Sequence, residues 1–126
     1  MSGYSANIEN KTQENNFFRQ VLYTAPHSQL VVMTLQPGEE IGMETHKNGD
    51  QFIRVESGEG EAILDGEHHP LSDGVAVVIP AGTAHDIVNT SRSAPMRLYT
   101  VYSPPEHAPG TVHKTKAEAE AHEHHG

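Results

Sequence analysis

Two spaced patterns of glycine, histidine, glutamate and proline enclose the middle of this 126-residue chain and hold its most reactive side chains. The first, G-x5-E-x-H-x4-Q-x6-G, runs through Gly38, Glu44, His46, Gln51 and Gly58. The second, G-x5-P-x-G-x2-H-x3-N, runs through Gly74, Pro80, Gly82, His85 and Asn89. Imidazole and carboxylate groups gathered in one place can hold a cation, and a held cation can polarise a carbonyl or hydroxyl oxygen. The chain has no cysteine, so thiolate ligands and disulfides are excluded and any metal must take nitrogen and oxygen donors.

These patterns resemble the two signature motifs of the cupin superfamily, whose small RmlC-like jelly-roll barrels hold one metal ion. The resemblance covers about residues 30–103. In that family the first motif supplies two histidines and a glutamate, and the second supplies a further histidine. At the matching positions this chain has Glu44, His46, Gln51 and His85, and the resemblance implies these as ligands of one divalent metal ion. Asp50 is the alternative to Gln51; Gln51 keeps the motif's gap to Gly58, and Asp50 would face outward. The donor types are similar to those around zinc in phosphomannose isomerases, with the carboxylate and amide exchanged in order.

Strand alternation turns Glu44 and His46 to one face, while Gln51 begins the returning strand with Ile53 and Val55 on its side. Pro80 and Gly82 would form the corner that brings in His85, with positive φ expected at Gly58 and Gly82. With Glu44 as the only anionic ligand, the ion keeps net positive charge and open positions. That suits an anionic or hydroxycarbonyl substrate bound through oxygen. Zinc, manganese, iron, nickel and cobalt all accept such donors. Tyr99 and Tyr102 fall on opposite faces of the last strand, so one should line the interior; Glu44, Tyr99 and Tyr102 are the candidate catalytic groups. Asn89 is expected to be structural.

Seven or eight short strands must position these groups. Residues 17–23, 29–35, 51–56, 61–64, 75–79, 84–89 and 96–102 have strand composition, punctuated by turns such as Pro37-Gly38 and Asp65-Gly66. The run 75–79 (VAVVI) has the composition of a fully buried strand. An all-β sandwich or barrel follows, and the resemblance narrows it to the double-stranded β-helix, or jelly roll, of cupins. Residues 1–16 form a loose polar arm, 17–105 the barrel, and 106–126 a His/Glu-rich polar tail with at best a marginal helix. His122, His124 and His125 end that tail in a cluster able to trap metal adventitiously.

A formal net charge of −9 argues against nucleic acid and anionic membranes as partners, and no stretch is apolar enough to span a bilayer. The chain is expected to be soluble and cytoplasmic, with a small-molecule substrate. Homodimerisation is implied by the resemblance, with an apolar edge at Phe17-Phe18. The activity implied is that of a metal-dependent isomerase or related enzyme on a sugar or small hydroxycarbonyl compound. The alternatives are a non-haem iron dioxygenase and a non-catalytic small-ligand binder.

Overall fold

Alternating apolar residues build two antiparallel sheets that face each other. The structure, a computed structural model, describes residues 2–125, with side chains as far as His122. The elements in chain order are α1 (Ile8–Glu14), β1 (Arg19–Thr24), β2 (Gln29–Leu35), β3 (Asp50–Ser57) and β4 (Gly60–Leu64). They continue with β5 (Glu67–Leu71), β6 (Ala76–Ile79), β7 (His85–Asn89), β8 (Met96–Ser103), β9 (Val112–His113) and α2 (Lys116–His125). The larger sheet has the order β6-β3-β8-β2-β1-β9 and the smaller β5-β4-β7. Backbone bridges Glu40↔Val88 and Glu44↔His85 lay residues 40–44 alongside β7. This is the jelly-roll arrangement expected.

The core fills the space between the sheets. Ile53, Val55, Met33, Leu35 and Leu98 are wholly buried, and each contributes about 1.5–3 kcal/mol of apolar transfer. Asp65 (φ 47°) and Gly66 (φ 85°) make the two-residue turn between β4 and β5, where Leu64 pairs with Glu67. Among the described residues no helix is long and apolar enough to cross a membrane.

Four expectations are corrected. Residues 8–14 of the supposed loose arm form a helix, capped by Asn7 Oδ1 accepting from the Asn10 N–H and anchored by buried Thr12. The run 75–79 is not buried on both faces: β6 is an edge strand paired only with β3, and its Val78 is 65% exposed. Two short strands were not anticipated, β5 and β9. Finally, β1 is no open edge, because β9 pairs outside it and Phe18 is buried in the core.

Candidate metal centre

Three ligand atoms, one each from Glu44, His46 and His85, all lie within 4.8 Å of one another. The backbone dictates this. Glu44 and His85 sit directly opposite each other, exchanging N–H···O bonds of 2.8 Å in both directions. Opposed residues project to the same face, so the carboxylate and the imidazole meet. His46 stands two residues beyond Glu44 on that face, and its carbonyl accepts the Gly82 N–H at 2.9 Å. The Pro80–Gly82 corner is thereby tied to the first motif; Gly82 has φ +87°, and Ala81 N–H donates to Asp50 Oδ1 at 2.9 Å. Asp50 holds the corner from outside, as its outward direction requires.

Both histidines are fixed in the tautomer a metal needs. His85 Nδ1 lies 2.9 Å from the Thr83 carbonyl, which can only accept, so Nδ1 carries the proton and Nε2 keeps its lone pair. His46 Nδ1 lies 3.3 Å from Glu106 Oε1, which imposes the same choice. Both Nε2 atoms are buried and lack a hydrogen-bond partner among the described residues. Gln51 supplies a third such atom. Its Nε2 donates to Thr100 Oγ1 at 3.0 Å, while its buried Oε1 has no partner. Gln51 pairs across the sheet with Tyr102, whose ring meets His46 edge-on at 5.9 Å. Buried acceptors left unpaired cost about 1–3 kcal/mol each, so the two imidazole Nε2 atoms clustered with the Glu44 carboxylate mark a ligand position. Two ligands at about 2.1 Å from one ion stand about 3–4 Å apart, so the cluster closes on a cation with small side-chain movements. The donor set fits the implied metal.

Tyr102 is the tyrosine that lines the interior; burial pushes its phenol pKa upward, the Arg19 charge opposes this, and the charges of Glu44 and Glu106 add lesser rises. Tyr99 is corrected as a candidate. Alternation along β8 turns it to the opposite face, where its ring packs 6.1 Å from that of Phe52. Asn89 is structural: 1% exposed, it donates to the carbonyls of Leu35 and Ala94 and accepts from the Ser91 N–H.

Glu106 and His107 belong to the site although they lie in the segment taken for polar tail. Buried Gln29 holds them there: its Oε1 accepts from both backbone N–H groups and its Nε2 donates to the His107 carbonyl at 2.7 Å. The His107 ring then stands 5.2 Å from that of Tyr102. A sequence signal existed in the His-rich composition after Pro105, but nothing local marks that loop as folding back. The side chains of His124 and His125 lie outside the described residues.

Two further expectations follow. Glu106→Gln should weaken divalent-metal affinity by about tenfold, because it replaces the charged acceptor that orients His46 with a weaker neutral amide oxygen; competition with a chelating dye measures this. Burial, then the Arg19 charge, lowers the His107 pKa to about 3. The unfolded chain therefore takes a proton near pH 6.5 that the native one refuses. His107 thus contributes stability that is full above about pH 6.5 and lost progressively toward pH 3, at up to about 1.4 kcal/mol per pH unit. Denaturant titrations across that window should show a shallower loss for His107→Gln.

With fold and cluster established, the comparisons place the chain. Residues 31–102 match the family described as Cupin domain, and the chain belongs to that family. It is 44% identical to the Bacillus subtilis protein YrkC over 126 positions, spanning 95% of this chain and 67% of that one. It is also 44% identical to protein L612 of Acanthamoeba polyphaga mimivirus, covering 86% of this chain and 70% of the relative. The crystal structure of BH2720 from Bacillus halodurans superimposes with a TM-score of 0.91 at 43% identity, covering 94% and 93% of the two chains.

Proposed function

We propose that the chain is a metal-dependent enzyme, an isomerase or a close relative in chemistry, acting on a sugar or other small hydroxycarbonyl compound. One observation carries this reading: buried Nε2 of His46 and Nε2 of His85 have no hydrogen-bond partner among the described residues and cluster with Glu44, and buried Oε1 of Gln51 likewise has none. A bound divalent ion would supply Lewis-acid polarisation of a carbonyl and its neighbouring hydroxyl. The residues do the rest. His46 and His85 are held in one tautomer by Glu106 and Thr83, and neutral Gln51 leaves the ligand set with a single anion. Glu44, the carboxylate of the cluster, would serve as the group that accepts a proton from carbon. Tyr102 keeps its proton near neutral pH and acts only as a hydrogen-bond donor.

The test follows hydrogen exchange. Metal-loaded protein is incubated in D2O with glyceraldehyde, dihydroxyacetone and mannose, and proton NMR monitors the C–H next to the carbonyl. Deuterium should enter, and Glu44→Gln or a chelator should stop it. No exchange from any of the three compounds, nor from lactate and glycerate treated in the same way, rejects the isomerase reading.

A second reading rests on the makeup of the cluster. Glu44, His46 and His85 form a two-histidine, one-carboxylate set of the kind that holds iron(II) in oxygenases. Oxygen uptake by the iron-loaded protein, without deuterium exchange, selects that reading.

A further inference from the structure

A cavity of about 330 Å³ adjoins the cluster, walled by Glu44 on one side and by Arg19, Glu106, His107 and His113 on the others. Arg19 is the unexpected member. Strand β1 turns its side chain inward, where the residue is only 2% exposed. The guanidinium lies over the Phe18 ring at 5.2 Å, and its Nη1 is 3.2 Å from His113 Nδ1. An arginine cannot lose its proton, so His113 must accept through a neutral ring and does not balance the charge. Arg19 Nε is buried with no hydrogen-bond partner among the described residues. The Glu106 carboxylate in the same wall faces His46 Nδ1 at 3.3 Å.

A buried guanidinium with an unused donor is a costly arrangement that an oxyanion relieves, and its planar fork matches a carboxylate best. Arg19, Glu106, His107 and His113 all lie outside residues 31–102, the stretch that matches the family. We propose that Arg19 is a substrate-binding residue, and that the substrate is a small carboxylic acid bearing a keto or hydroxyl oxygen. The carboxylate sits against Arg19 and the second oxygen faces Glu44, His46 and His85. This rests on the reading of the cluster as a metal centre and narrows the hydroxycarbonyl class to acids.

Calorimetric titration of the zinc-loaded full chain with pyruvate, lactate and glycerate, each beside its neutral methyl ester, tests the proposal. The wild type should bind at least one acid tenfold or more above its ester. Arg19→Met should abolish the preference and Arg19→Lys reduce it at least threefold, with zinc content unchanged. A preference that survives Arg19→Met, or none in the wild type, overturns the proposal. If Arg19→Met does not fold, Arg19→Lys decides: unchanged preference overturns it. Failure of the wild type to hold zinc rejects the metal reading instead. The same titrations on the metal-free chain then judge Arg19 by the same criterion.

Discussion

Metal affinity in the His85→Ala chain is expected to fall by more than about 100-fold, with stoichiometric metal lost on dialysis. Disturbing a residue that merely orients a ligand costs about 10–100-fold, and removing the ligand costs more. His85 is also the donor least able to be replaced. Its backbone is locked opposite Glu44 by paired 2.8 Å bonds, so no neighbouring side chain can slide into its place. Glu44→Ala should lose metal similarly, since it removes the one anion of the set. The measurement is metal analysis with His122, His124 and His125 replaced by alanine, so that the terminal cluster contributes nothing. The melting temperature of the metal-free His85→Ala chain should fall by several degrees, because the substitution also deletes the Nδ1 bond to the Thr83 carbonyl and empties a buried site.

Gly60→Ala should destabilise the fold by about 3 kcal/mol or more, lowering the melting temperature by roughly 10 °C or more in a domain of this size. Gly60 pairs with Asn89 where β4 meets β7. A Cβ at that position would overlap the Val88 carbonyl oxygen and lie 2.9 Å from Met96 Sδ. A flexible thioether can move; a backbone oxygen within a sheet ladder cannot without breaking the ladder. The neighbouring Gly58, at φ +109° and with a Cβ position 2.7 Å from Met96 Cα, leaves no slack on the other side. Denaturant unfolding of the metal-free chains measures the loss.

The barrel and the paired motifs were readable because each rests on short-range rules. Alternation identified β7 and β8, Asp65-Gly66 identified a turn, and the Pro80–Gly82 corner announced an incoming side chain. The errors share a different cause: each depended on what packs against a segment. The VAVVI run reads as buried until the sheet order makes β6 an edge. Strand β5, with the sequence EHHPL, is polar because only Leu71 is buried, and Pro70 is tolerated because β5 has one partner. Glu106, His107, Arg19 and His113 escaped notice for the same reason. The placement of Glu106 and His107 follows from Gln29, 77 and 78 positions before the two backbone N–H groups it receives, and that of Arg19 and His113 from the pairing of β1 with β9; no local pattern encodes either link.

X-ray absorption at the zinc edge, on protein loaded with one equivalent and with His122, His124 and His125 replaced by alanine, tests the convergence of these donors most directly. Two imidazole nitrogens at about 2.0–2.1 Å with the remaining ligands oxygen is the expected shell, and one imidazole should vanish in His85→Ala. A shell of water oxygens alone, or an imidazole count unchanged by that substitution, would contradict a metal centre between the sheets.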